Sequence, residues 1–178
     1  MFDEVQSGFG RTGHWFAYQH FGVTPDIMTL AKAVCGGLTG AAMLVRPELA
    51  PSLRRGMHAA TFGGNPVAAA AGLAAIRMIE EESLLDKAQR LSQVFRQRLE
   101  DLRGQCDLIR EVRIVGLMIG VELAVEGAAV VRACMERKLL INCTHDTVLR
   151  LLPAMTLSED QVHEGCDILA EALQAPPA

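Results

Sequence analysis

Two short apolar segments constrain this chain most: Met1–Val5, and Ile27–Ala31 after a turn at Thr24-Pro25-Asp26. Between them lie a loop, S-G-F-G-R-T-G, and a stretch of helical character, His14–Phe21. Two strands joined by a crossover of that length read as a parallel β-α-β unit, because parallel neighbours cannot be joined by a tight hairpin. Parallel sheets are covered on both faces, so the fold class expected is α/β. In such sheets chemistry gathers outside the carboxyl ends of the strands. Asp3 and Lys32 would both project from that edge.

The rest of the chain can supply the cover. T-F-G-G-N-P launches an Ala-rich helix, capped by Asn65 with Pro66 in its first turn, that runs to about Glu82. A second helix from Ser83 carries Ala88, Leu91, Phe95, Leu99 and Leu102 at helical spacing and stops at Gly104. Shorter elements follow: strands at 108–115, 117–123 and 147–152, and a helix over 127–138. A final helix opens with the capping box Ser158/Gln161 and repeats Val162, Cys166, Leu169 and Leu173. Residues 83–178 therefore read as a small α+β domain following the first, 1–82. The terminal APPA is expected to fray.

Composition narrows function. Half of the 178 residues are apolar, but only 4% are aromatic, which favours helices on a sheet over a β-sandwich. A formal charge of −4 without a basic run disfavours nucleic-acid or anionic-membrane partners. No apolar stretch approaches the ~18 residues that span a bilayer. The opening MFDEVQ is too acidic for a signal peptide. Five scattered cysteines without a C-x-x-C, and five histidines without metal spacing, suggest reduced thiols in a cytoplasmic protein and no metal site.

Lys32 and Asp3 are the first candidates for chemistry. Lys32 is either a solvated strand end or a desolvated amine able to attack carbonyls. Asp3 either caps a turn or holds a heterocycle nitrogen in its protonated form. Together they make the pair that a pyridoxal phosphate enzyme needs, a Schiff-base lysine and a pyridinium partner. A lysine Schiff-base lyase without cofactor is a rival; Asp3 and a phosphate-like Thr61-Gly63-Gly64 turn argue against it. Thr61 alone is also consistent with the turn before Asn65, and Arg150 with a water-facing strand residue.

The runs F-D-E-V-Q-S-G-F-G-R-T-G, P-D-I-M-T-L-A-K-A, T-F-G-G-N-P, E-V-R-I-V-G-L-M-I-G-V-E-L and L-L-I-N-C-T-H-D-T-V-L-R-L-L-P-A-M-T-L-S-E-D-Q, in this order, resemble the class III aminotransferases that use pyridoxal phosphate. The resemblance implies the back half of such an enzyme: the trailing part of the large domain of a fold-type I transferase, then its small domain. It implies that Asp3 bonds the pyridine nitrogen, Val5 packs on the ring, Gln6 lies near the ring hydroxyl and Lys32 bonds the cofactor. It further implies that Thr61 binds the phosphate in a neighbouring subunit's site, hence a homo-oligomer, and that Arg150 receives a substrate carboxylate. The tail motif resembles the branch acting on N2-acetyl-L-ornithine and 2-oxoglutarate in arginine biosynthesis. Ornithine, succinylornithine and 4-aminobutyrate are the rival donors, and a non-catalytic fragment the rival from another class. Family chains are about twice as long, and their front half carries the glycine-rich phosphate loop, the stacking aromatic and an acid near the substrate. Two departures stand out: A-V-C-G-G-L-T-G-A-A-M replaces the usual glycine run after the lysine, and Ile114 stands where the family usually turns at glycine.

Overall fold

Strand β1 (Phe2–Asp3) lies parallel to β2 (Ile27–Leu30), with Phe2 opposite Met28 and Asp3 opposite Thr29, in the computed structural model, which describes residues 1–174. The tail expected to fray lies outside the described residues. The chain divides into two compact units, Met1–Leu85 and Asp86–Ala178. Among the described residues no helix is long and apolar enough to cross a membrane.

In the first unit the crossover departs from expectation. Instead of a helix over 14–21 there is one 3₁₀ turn, Ala17–His20. Alternation along β1 turns Glu4 away from Asp3 and buries it. Its carboxylate accepts the N–H groups of Ala17 at 3.0 Å and Tyr18 at 2.8 Å, and the Ser7 hydroxyl. Those donors are thereby satisfied by a side chain rather than by a longer helix. The buried ring of Phe9 stands edge-on to Trp15 and Phe16.

β2 also pairs antiparallel with an unanticipated strand, β3 (Ala42–Val45). Its A-M-L-V run has no polar alternation and is mostly exposed, so the sequence carried no strand signal there. Helix α1 (Pro66–Glu81) starts where predicted, Asn65 Oδ1 accepting from Val67 N at 2.8 Å and Ala68 N at 3.4 Å. Its small-residue face meets the turn after β2. A Cβ on Gly72 would stand 3.1 Å from the Val34 carbonyl, and one on Gly36 3.5 Å from Ala75. The rest of α1 is poorly covered: Val67, Leu73 and Met78 are exposed and only Ile79 is buried.

The second unit has a complete core. Helix α2 (Leu84–Arg103) buries the predicted stripe of Ala88, Leu91, Phe95, Leu99 and Leu102. Strands β4 (Ile109–Val115), β5 (Met118–Leu123), β6 (Asn142–Thr144) and β7 (Val148–Leu151) form an antiparallel sheet in the order β4-β5-β7-β6. With α3 (Ala128–Glu136) and α4 (Glu159–Gln174), its inner face encloses Ile119, Val121, Leu149, Val162 and Leu169. Ser158 and Gln161 make the reciprocal capping box, at 2.9 and 3.2 Å. Ile114 does not disturb a turn: it pairs with Ile119 inside β4 and is buried, and Gly116, at φ 58°, makes the bend. Strand β6, three residues long, was too short to read from pattern. The buried thiols of Cys134 and Cys166 are each pushed up to about 11 by desolvation, which keeps them protonated and unreactive at neutral pH.

Candidate active site

Asp3 ends β1 with an exposed carboxylate. Its Oδ1 accepts the Val5 N–H at 3.0 Å and the Thr29 hydroxyl at 3.2 Å, across the parallel pair. Oδ2 makes no hydrogen bond among the described residues. The two sequence readings of Asp3 are therefore compatible: one oxygen closes a turn while the other stays available. Thr29 was missed, although strand pairing with Asp3 opposite it would have found it.

Lys32 lies three residues beyond Thr29 and opens the 3₁₀ turn Lys32–Cys35. Its backbone sits at φ 54°, the left-handed region that costs a non-glycine residue about 1–2 kcal/mol. Such strain persists only where the surroundings impose it and clusters at functional positions. Here α1 packs behind the turn and Gly36, also left-handed at φ 58°, closes it. The expectation of a desolvated amine is not met. Lys32 is exposed: nothing among the described residues of the first unit covers it.

Val5, half-buried, and Gln6, exposed, follow Asp3 on the same edge. Thr61 stands exposed in the turn before α1, where Gly63 N–H bonds Ala60 O at 3.0 Å and Gly64 adopts φ 74°. The Thr61 hydroxyl makes no hydrogen bond among the described residues. Thus Asp3, Val5, Gln6 and Lys32 share one edge of the β1–β2 pair, while no hydrogen bond joins Thr61 to it.

Arg150 belongs to the second unit. Leu149 and Leu151 point into the core, so period-two alternation puts Arg150 on the opposite face, half-buried. Its Nε–H donates to Asn142 Oδ1 at 3.1 Å, across the β6–β7 pair. A cleft of about 240 Å³ beside Glu126, Cys143, His145 and Asp146 contains none of the residues singled out from sequence.

Glu4 is the other residue that sequence reading missed, though an acid between Asp3 and Val5 on a strand has to face the other way. It anchors the loop that continues β1. Glu4→Ala is expected to expose the Ala17 and Tyr18 amides to hydrogen exchange by roughly tenfold or more, the loss of a charge-assisted bond. Unchanged protection at both amides would remove Glu4 from this role.

The sequence pattern of the family "Aminotransferase class-III" matches residues 1–173. The chain belongs to that family. Among its relatives, the acetylornithine aminotransferase of Methanocaldococcus jannaschii is 47% identical over 173 residues, covering 97% of this chain and 42% of that protein. The solved acetylornithine aminotransferase of Elizabethkingia anophelis superposes with a TM-score of 0.90 at 34% identity, over 96% of this chain and 44% of that one. The ornithine aminotransferase of Toxoplasma gondii, a structure with partial occupancy of pyridoxal phosphate at its active site, reaches 0.92 at 32% identity, over 98% and 42%. The class III chain thus spans less than half the length of these relatives.

Proposed function

We propose that these residues form part of a pyridoxal phosphate site for amino transfer from N2-acetyl-L-ornithine to 2-oxoglutarate, a step of arginine biosynthesis. The observation that carries this reading is the Asp3 carboxylate, fixed through Oδ1 by two donors and open at Oδ2, on the edge from which Lys32 also leaves. That donor set suits the cofactor: a carboxylate for a ring N–H, a primary amine for an aldehyde, and a hydroxyl with the Gly64 N–H for a phosphate. When bound, pyridoxal phosphate supplies a cationic ring that accepts electrons from the substrate carbon bearing the amine.

The chain's own residues do the rest. Asp3 Oδ2 would accept the ring N–H and hold that proton in place. Lys32 Nζ is the amine that would hold the cofactor's aldehyde group and, when free, would take and return the proton of the substrate carbon. Val5 would pack on the ring and Gln6 would lie near its hydroxyl. The Thr61 hydroxyl, with the Gly64 N–H, would donate to the phosphate in a second subunit's site, the Gly63 N–H being held by Ala60 O. On this reading Phe62, 82% exposed beside it, would lie in the same subunit contact of a homo-oligomer. Arg150 takes a substrate carboxylate.

On this reading residues 1–82 trail the large cofactor domain, 83–178 form the small domain, and the protein is cytoplasmic. The donor follows the acetylornithine aminotransferases among the relatives; ornithine is the second reading, since ornithine aminotransferases stand among the similar solved structures at 30–33% identity.

Borohydride reduction of the protein loaded with pyridoxal phosphate is expected to fix the cofactor on the peptide containing Lys32. Label on Lys87 or Lys138 instead would show the lysine assignment to be wrong.

A further inference from the structure

Arg113, Gly120, Arg150 and Asn142 are successive cross-strand partners on β4, β5, β7 and β6, and so form one row across the sheet. Directly opposed residues share a face, and this face is turned away from the core. The two arginines in the row are treated differently. Arg113 is neutralised by Glu122 at 2.6 Å and by Glu111. Arg150 has no carboxylate partner among the described residues: its neighbours in the row are a glycine and an uncharged amide.

A guanidinium offers two forked edges to a carboxylate, one through Nε and a terminal nitrogen and one through both terminal nitrogens. Asn142 Oδ1 occupies Nε, so the Nε edge is closed and the terminal edge is left. Gly120 projects no side chain on the other flank; even an added Cβ would meet only the Val148 methyl, at 3.4 Å. An aspartate at position 142 would hold Nε equally well, but would also cancel the charge.

We infer that Asn142 is the positioning residue for Arg150: it fixes the guanidinium for end-on receipt of a carboxylate and, being neutral, leaves its positive charge uncompensated. This rests on the proposed role of Arg150 as carboxylate receptor, and adds a residue and a direction of approach to it.

The test uses the 178-residue chain labelled with [15N]arginine, glutarate as the dicarboxylate probe, and the variants Asn142→Ala and Asn142→Asp. The methyl resonances of Leu149 and Leu151 report that the sheet is intact. In the unaltered chain the Arg150 Nε–H should exchange slowly, and glutarate should shift the terminal nitrogens while leaving Nε–H protected. Asn142→Ala should speed Nε–H exchange about tenfold or more and weaken the glutarate response. Asn142→Asp should keep Nε–H protected and abolish the response, a split that loss of structure cannot produce.

Unchanged exchange in the alanine variant, or a full glutarate response in the aspartate variant, overturns the positioning role while leaving the carboxylate role of Arg150 standing. A protected Nε–H that the alanine variant frees, with no glutarate response at Arg150 in the unaltered chain, overturns the carboxylate role and this inference with it.

Discussion

Residues 1–178 expressed alone and saturated with pyridoxal phosphate are expected to convert N-acetylornithine and 2-oxoglutarate at least about 100-fold more slowly than a typical enzyme's ~10 s⁻¹. Asp3, Gln6, Lys32 and Thr61 are all exposed in this chain. An ion pair or hydrogen bond at a wet surface is weak, and the same groups orient a reactant far better in a dry, walled site. A misplacement of about 1 Å already costs roughly 10²-fold in rate. The chain spans 42% of the Methanocaldococcus relative, and the length it does not span is where the resemblance puts the phosphate loop and the stacking aromatic. The assay should therefore be run twice, with the chain alone and with a second polypeptide supplying the remaining family length. Recovery only in the second case supports the proposed site. Turnover by the chain alone within an order of magnitude of ~10 s⁻¹ would refute the claim that these exposed groups need further walls.

What the sequence disclosed, and what it hid, follows the range of the interactions involved. Local signals were reliable. Asn65 with Pro66, Ser158 with Gln161, and the stripe from Ala88 to Leu102 each act within a turn or two of helix, and each element starts or packs as those residues dictate. The pairing of the first two strands was legible as well, because apolar runs separated by a crossover have few other ways to satisfy their backbones.

Interactions between segments far apart in the chain were not legible. The Ala17–His20 turn depends on a carboxylate 13 and 14 residues away, so a helix was expected where the Glu4 side chain had already taken the amides. Strand β3 exists because β2 has a second edge to fill, not because A-M-L-V alternates. Thr29 and Asn142 touch the candidate residues only through strand register. The exposure of Lys32 is a property of what covers it, which its flanking Ala33 and Val34 could not report. The resemblance supplied roles for Thr61 and Arg150 that their own neighbourhoods left open. The structure adds what each hydrogen-bonds among the described residues, a tether for Arg150 and none for the Thr61 hydroxyl.

The other large effect expected concerns the two units themselves. Residues 83–178 expressed alone should unfold cooperatively in urea and sediment as a monomer, while residues 1–85 should neither unfold cooperatively nor stay monomeric. The second unit buries a continuous set of side chains contributed by α2, α3, α4 and three of its strands, with Leu99, Leu117, Leu149 and Leu169 wholly enclosed. In the first unit the buried apolar side chains are few, among them Phe9, Met28 and Leu30, whereas Val67 is 65% and Leu73 57% exposed. Each large apolar side chain left in water forgoes about 1.5–3 kcal/mol of burial, and β1, an edge strand of its sheet, is only two residues long. A single substitution in each unit makes the contrast quantitative within the intact chain. Leu149→Ala should cost about 2–5 kcal/mol, the transfer free energy of the lost atoms plus the cavity left behind. Leu73→Ala removes a side chain that packs on little and should change stability by no more than about 0.5 kcal/mol while reducing self-association. Equal and large penalties at both positions would mean that α1 has a cover within this chain. The first unit would then be a domain in its own right rather than a surface that requires a second polypeptide segment.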